Sequence, residues 1–336
     1  MPRRLGRFLV RLLAGGMGLL LLAAVPALAS PADGSAWLTS ELGLLQPRLS
    51  YQAEHQFDQR VDNHSGEVGF NQHDLRAITP LWQNSSNELS LAGRARYLDL
   101  DTTAVLPSGK GLPSELWDLN LAAQFRHRLD GGSVLGLSVR GGSASDKPFH
   151  SDGENQYGAT AFARLPSGRD GAWIILANYD NNRELFPGMP LIPGAGYWYA
   201  PSKRFQVLAG VPFSSLHLRP LADLDLNLSY AMVRTLRARA TYHLVKPLSV
   251  YTGFEMFHQG YLLADRPHSE NRLFLYQKRA LAGTAYELGH GLVLDVSGGW
   301  AFDRFFFEGE NYGDRWQDRL SLEDGAFFAG QIGYRF

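Results

Sequence analysis

Phe328-Ala329-Gly330-Gln331-Ile332-Gly333-Tyr334-Arg335-Phe336 is the stretch that decides the fold. Phe328, Gly330, Ile332, Tyr334 and Phe336 share one face, and Ala329, Gln331, Gly333 and Arg335 share the other. Successive side chains of a strand point to opposite sides, so a period of two argues strand, and the two faces meet different surroundings.

The same alternation recurs along the chain. Trp117, Leu119, Leu121, Ala123, Phe125 and Leu129 oppose Asp118, Asn120, Gln124, Arg126 and Arg128. Leu224, Leu226, Leu228, Tyr230 and Met232 oppose Asp223, Asp225, Asn227 and Ser229. Leu236, Ala238, Ala240, Tyr242 and Leu244 oppose Arg237, Arg239, Thr241 and His243, and Leu292, Leu294, Val296, Gly298, Trp300 and Phe302 oppose Asp295, Ser297 and Asp303. These rows exceed the roughly 5–6 residues of a soluble strand and reach the roughly 9–11 of a tilted strand crossing a bilayer. Tyr97, Trp117, Tyr230, Trp300 and Tyr334 stand near row ends, where amphipathic rings favour a headgroup boundary.

The pattern predicts an all-β antiparallel, up-and-down transmembrane barrel of about fourteen strands, with twelve or sixteen as alternatives. The strands fall near 48–58, 67–78, 88–98, 115–129, 133–142, 156–165, 172–181, 203–211, 222–232, 236–246, 248–258, 273–288, 291–303 and 325–336. Short connections at 130–132, 166–170, 246–247 and 289–291 have hairpin chemistry. Longer polar ones at 100–114, 144–155, 182–202, 260–271 and 304–323 alternate with them. An even strand count puts both ends of the barrel on the short-turn side. The stretch 67–78 changes its apolar face midway, from Val68 and Phe70 to Leu75 and Ala77, which predicts a bulge. The Pro- and Gly-rich region 187–220 could conceal a split strand.

The terminal strand, with its alternating apolar row, Tyr334 and final Phe336, resembles the signature of bacterial outer-membrane β-barrels. The resemblance implies that Tyr334 and Phe336 are recognised by the barrel-assembly machinery. An aromatic-rich, unpaired edge can pair with another sheet before the barrel closes. Within that class, Pro193-Gly194-Ala195-Gly196-Tyr197, Gly210-Val211-Pro212-Phe213 and Arg219-Pro220 look similar to an uncharacterised barrel family that brings no assigned chemistry.

The N-terminal stretch reads as an address. Arg3, Arg4, Arg7 and Arg11 precede an apolar run from Leu12 to Val25, and Ala27-Leu28-Ala29 supplies a small-x-small cleavage site. The run is shorter than the roughly 20 apolar residues of a membrane-spanning helix, so a signal peptide over 1–29 is expected. A periplasmic segment would follow over 30–47, and the barrel over 48–336. So short a segment leaves no room for the plug domain of an energy-coupled receptor. Without the four signal arginines, the 32 basic residues become 28 against 33 acidic ones. That balance suggests no nucleic-acid partner. The absence of cysteine excludes disulfides and thiolate metal sites. The expected location is the outer membrane of a Gram-negative cell, amid lipid and lipopolysaccharide.

If the apolar rows face lipid, the others line a lumen. Arg94, Arg96, Arg126, Arg128, Arg140 and Arg164 would form one wall. Asp223, Asp225, Glu255, Glu287 and Asp295 would lie across from it, with Arg237, Arg239 and Arg279 among them. Opposed charges produce a transverse field that orients polar solutes, so a passive channel for small polar or anionic solutes is the expected function. The same charges could instead pair with one another and hold a structural barrel shut. A ligand-binding barrel, with Phe305-Phe306-Phe307 and Trp316 at an outer rim, is a further reading.

A lipid hydrolase would need a nucleophile beside a histidine. His127, His150, His217, His243, His258, His268 and His290 are scattered, and neither Gly-x-Ser-x-Gly nor His-Glu-x-x-His occurs. His243 is the inward-facing candidate, and no cofactor is expected. Glu308-Gly309-Glu310-Asn311-Tyr312-Gly313-Asp314 departs from a calcium loop and is expected to be a solvated outer loop near lipopolysaccharide.

Overall fold

A computed structural model describes residues 34–62, 66–182, 189–231 and 235–336. The predicted signal peptide, with Ala27 and Ala29, lies outside them. A short helix, α1 (Gly34–Thr39), precedes the sheet. The first strands are β1 (Arg48–Arg60), β2 (Glu67–Gln83), β3 (Asn87–Thr102), β4 (Glu115–Arg128), β5 (Val134–Ser145) and β6 (Asn155–Ser167). Then come β7 (Gly171–Asp180), β8 (Ile192–Ser202), β9 (Phe205–Val211), β10 (Phe213–Leu221), β11 (Leu224–Ala231) and β12 (Thr235–Val245). The last are β13 (Leu248–Tyr261), β14 (Arg272–Gly289), β15 (Leu292–Gly309), β16 (Arg319–Leu322) and β17 (Gly325–Arg335).

From β1 to β15 each strand pairs antiparallel with its sequence neighbours, and β1 pairs with β17, so the sheet closes on itself. β16 and β17 face β15 in one register, Arg304 opposite Leu322 and Ala301 opposite Gly325. They are two halves of a single stave, broken at Glu323 and Asp324. The barrel therefore has sixteen staves. This corrects the expected fourteen to the larger of the alternatives.

The two missed staves are β8 and β10, both in the region expected to conceal a strand. β8 reads as a turn because Pro193, Gly194 and Gly196 fall inside it. The glycines are there for close approach instead. A Cβ on Gly194 would come within 2.6 Å of the Val211 carbonyl oxygen, and one on Gly210 within 2.6 Å of the Ala195 carbonyl oxygen. β9 then turns into β10 through Pro212 alone, a connection too short to register as a loop.

The wall is uneven. β14 and β15 run 18 residues each, whereas β9, β10 and β11 run 7, 9 and 8. The tall side carries the long loops at one end of the barrel, the loop end. The opposite, turn end carries the tight turns.

The outer surface is apolar over its middle. Leu121, Leu137, Val139, Ile175, Leu294, Val296 and Ile332 are exposed there. A water-soluble surface rarely carries so continuous a greasy area, and closure removes the sheet edges that hydrocarbon cannot satisfy. Aromatic rings bound this band. Toward the loop end, the Tyr51 hydroxyl lies 2.7 Å from His73 Nδ1, His73 stacks on Tyr97, and Tyr97 packs on Trp117. Toward the turn end, Trp173 meets Tyr197, Tyr199 meets Phe205, and Tyr334 meets Phe336. An arginine in the middle of this band would sit in hydrocarbon. Val296→Arg is expected to weaken folding into lipid vesicles by about 2–4 kcal/mol. Urea titration of the vesicle-inserted protein measures it, and an unchanged midpoint would mean that this face meets water.

The apolar face change in β2 needs no bulge there. Val68 and Phe70 are fully buried and point inward, on the same row as Gln72, Asp74 and Arg76. They join a core that fills the loop end of the lumen: Leu98, Leu100, Leu116, Tyr261, Leu273, Leu275, Phe306, Leu320 and Leu322. Ala104, Leu106 and Leu112, from the connection between β3 and β4, complete it. The row changes its chemistry because the interior changes from water to packed side chains, while the strand keeps its parity. The register shift falls in β1 instead, between Gln56 and Gln59.

Two connections are tied down over this core. The Lys110 ammonium reaches Glu308 at 3.0 Å and Asp265 at 3.1 Å, and Arg266 reaches Glu154 at 3.3 Å. The Leu262 amide donates to the Ala144 carbonyl, and the Ala264 amide to the Asp146 carboxylate.

Candidate functional site

The turn end of the lumen is occupied by the segment that the sequence places before the barrel. Leu38 and Leu42 of that segment are buried among Val134, Phe162, Ile174, Leu176 and Leu208, all on the inner rows of β5 to β9. Trp37 packs edge-on against Phe162, ring centroids 4.7 Å apart.

Two arginines hold its backbone. Arg126 donates to the carbonyls of Trp37 (3.0 Å) and Ser40 (2.9 Å), to the Ser40 hydroxyl (2.9 Å) and to the Glu41 carbonyl (3.3 Å). Arg164 donates to the carbonyls of Leu38 (3.3 Å), Thr39 (2.7 Å) and Ser40 (3.2 Å). The last carbonyls of a helix lack intrahelical partners, and guanidinium forks satisfy them. Glu88 balances Arg126 at 2.7 Å and also accepts from the Gly43 amide.

Beside this plug and beneath the loop-end core lies a charged cavity of about 910 Å³. Its lining carries nine arginines and seven carboxylates. At the turn end it is bounded by Arg48, Ser50, Arg335 and Glu287, on the inner rows of β1, β17 and β14. At the loop end it reaches Gln156, Asp180 and Asn182, and Thr235 at the head of the low wall. The plug packs against β5–β9 and the apolar core against the tall strands. The cavity therefore runs obliquely between them.

The charges are organised in shared sets. Asp74, 1% exposed at its side chain, accepts from Arg76 (2.6 Å), Arg94 (2.5 Å) and Arg96 (3.3 Å). Arg279 bridges Glu54 (2.6 Å) and Glu255 (2.6 Å), and Arg237 approaches Glu255 at 3.8 Å. Arg239 reaches Asp295 at 3.1 Å while its guanidinium lies over the Tyr251 ring, 3.3 Å from the centroid. The Tyr251 hydroxyl donates to the same carboxylate. Arg140 pairs with Asp180.

Of the residues named from sequence, Arg94, Arg96, Arg140, Arg237, Arg239, Glu255 and Asp295 line the cavity, with Arg279 and Glu287. Arg126 and Arg164 face inward but hold the plug. Arg128 ends β4 near the turn end and does not line the cavity. Asp225 also lies off it, bound by Arg219 (2.5 Å) and by His243 Nε2 (2.8 Å). Asp223 is exposed in the turn between β10 and β11. Tyr334 and Phe336 are on the outer row at the turn end.

Sequence reasoning singled out none of Arg48, Glu54, Asp74, Arg76, Asp118, Asp180 and Arg335 as lumen residues, although Asp118 and Arg335 stand on its polar rows. The signal was present in β1, whose inward row Arg48, Ser50, Gln52, Glu54, Gln56 is wholly polar.

The rim aromatics divide. Phe306 joins the inner core. Phe305 and Phe307 turn outward, where Tyr312 packs over them, and the Arg319 guanidinium lies 3.8 Å from the Phe305 centroid. Trp316 is 70% exposed. In the acidic tract, the Asp314 carboxylate is occupied by the amides of Glu310 and Asn311.

Fold and site together define a closed, antiparallel membrane-type barrel enclosing a charged cavity, the kind of barrel that Gram-negative outer membranes carry. No family model and no curated protein matches the chain. Among solved structures, it is similar to the COG4313 outer membrane channel from Pseudomonas putida F1, at 12% identity over 91% of this chain and 100% of that one, TM-score 0.39. It is similar to a mutant of the Rh. blastica porin at 10% identity, over 86% of this chain and 100% of that one, TM-score 0.38. The β domain of the Bordetella autotransporter BrkA matches at 14% identity, over 87% of this chain and 100% of that one, TM-score 0.32.

Proposed function

We propose that this chain is an outer-membrane channel for small polar solutes, with anions favoured. The observation that supports it is the oblique cavity, whose polar lining extends from Arg48 and Arg335 at the turn end to Thr235 and Asn182 at the loop end. Nine arginines against seven carboxylates leave an excess positive potential, which raises the local concentration of anions. The loop end faces the medium and the turn end faces the periplasm. The signal peptide over 1–29 carries the chain to export, and Tyr334 and Phe336 serve its delivery to the assembly machinery. Lipid and lipopolysaccharide surround the outer face.

Purified protein in a planar bilayer is expected to give discrete conductance steps, with a reversal potential in a salt gradient that favours chloride over potassium. A silent bilayer would contradict this and support the second reading, a structural barrel sealed by its plug and core. The lining charges would then serve only to hold the wall together.

His243 holds Asp225 in this account and performs no chemistry. His243→Ala is expected to keep the conductance of the parent, read in the same bilayer. Phospholipid or lipid A hydrolysis by the parent protein, abolished by that substitution, would contradict the assignment.

A further inference from the structure

On the tall wall, the outward row of β14 changes character at Lys278. From Leu288 at the turn end it runs through Tyr286, Thr284, Ala282 and Ala280 without a charge. Lys278 follows about ten residues from Leu288, matching the roughly 9–11 that a tilted strand needs to cross hydrocarbon. On β15, Asp303 comes just beyond the outward Trp300 and Phe302. Its carboxylate reaches Lys278 at 2.8 Å and Arg319 at 3.6 Å. This ion-paired group therefore stands where the apolar band ends, on the side of the long loops.

Around it, cations outnumber the carboxylates they engage. The Arg319 guanidinium, already over Phe305, lies 4.8 Å from the centroid of the exposed Trp316 indole. Arg315 approaches the same indole at 5.2 Å and lies over the Tyr312 ring at 4.6 Å. Two guanidiniums thus share one ring, and like charges held so close repel unless an anion joins them. Arg315 makes no ion pair among the described residues, and its guanidinium donates to the Tyr312 carbonyl at 3.2 Å. The acids of the same loop are turned to other partners. Asp314 accepts from the amides of Glu310 and Asn311, and Asp318 from the Ser108 amide and hydroxyl. Asp303 is the one carboxylate that Lys278, Arg315 and Arg319 engage between them.

We infer that Lys278, Arg315 and Arg319, with the Trp316 indole, form a docking surface for the phosphorylated saccharide headgroup of lipopolysaccharide. Guanidinium forks and an ammonium match phosphate oxygens, and basic clusters at a membrane boundary hold anionic headgroups. The height of Lys278 sets the cations level with headgroups rather than with acyl chains. Stacking on aromatic rings holds the guanidiniums in place beforehand, which lowers the ordering cost of binding. The inference rests on the outer-membrane placement and orientation proposed above, and it does not depend on conduction.

Native mass spectrometry of the full chain in detergent, titrated with a deep-rough lipopolysaccharide, tests it. Saturable binding to the parent is expected, and Arg315→Gln is expected to weaken it roughly tenfold, as loss of a charge-assisted hydrogen bond does. Arg315 ion-pairs with nothing in the barrel, so the test survives if Arg319→Gln, which uncovers Phe305, fails to fold. Lys203→Gln, exposed in the turn between β8 and β9, should bind as the parent does. Removing the phosphates from the lipopolysaccharide should weaken its binding to the parent by a factor on the order of ten. Binding equal in the parent and Arg315→Gln, or undiminished by dephosphorylation, would overturn the surface. Displacement by phosphatidylglycerol or by inorganic phosphate at equal concentration would overturn the assignment to lipopolysaccharide. Bilayer recording of the same preparations separates this claim from the channel. A silent barrel that holds lipopolysaccharide through Arg315 keeps the surface and loses the channel, and a conducting barrel that does not hold it loses the surface alone.

Discussion

Deleting residues 34–42 is expected to raise single-channel conductance by about two- to fivefold, since conductance follows the width and lining of the narrowest polar section. The segment fills the turn end of the lumen against β5–β9, and the path now passes only along the opposite wall. Its hold is part apolar, through Leu38 and Leu42, and part polar, through the seven contacts from Arg126 and Arg164. Replacing both arginines with glutamine should loosen the same segment without shortening the chain, giving flickering rather than uniformly wide openings. Conductance identical in the deletion and the parent would show that the plug lies outside the path.

Asp74→Ala is expected to produce the largest loss of stability of any single change in the wall. Its carboxylate is 1% exposed and serves Arg76, Arg94 and Arg96 together. Removing one partner from a buried ionic set costs about 3–5 kcal/mol, because the remaining charges stay where water cannot reach them. Arg94 is half-exposed and can turn toward lumen water, whereas Arg96 is buried. Arg96 therefore carries most of the loss. The effect is read as a lower urea midpoint in lipid vesicles. A midpoint within error of the parent would mean that these arginines are solvated from the lumen. By contrast, Arg239→Gln, at a pair open to the cavity, should change stability by less than about 1 kcal/mol.

Much of the barrel was legible because lipid imposes alternation. Wherever a strand separates hydrocarbon from water, as in β4, β11, β12 and β17, the two rows differ and parity can be read directly. The reading failed where the contrast disappears. In β8, Gly194 and Gly196 answer to the closeness of β9, so local composition imitates a turn. In β2, Val68 and Phe70 are apolar on the inner row because the loop end is packed, and the change of face imitates a bulge. The plug was illegible for a related reason: residues 37–42 are too few to show a period, and their partners Phe162 and Leu208 lie far along the chain. Arg126 and Arg164 were visible as inward charges, but only tertiary structure shows that they grip backbone carbonyls.

The chain has no cysteine, so a single introduced thiol reports on one position only. Ser50→Cys stands at the turn end of the cavity, Thr235→Cys at its loop end, and Leu176→Cys beneath the plug. Currents through each variant, recorded before and after a charged, membrane-impermeant thiol reagent, test the oblique path most directly. Modification is expected to cut the current in Ser50→Cys and Thr235→Cys and to leave Leu176→Cys unaffected. Unchanged current in both of the first two, or block at Leu176→Cys alone, would contradict it.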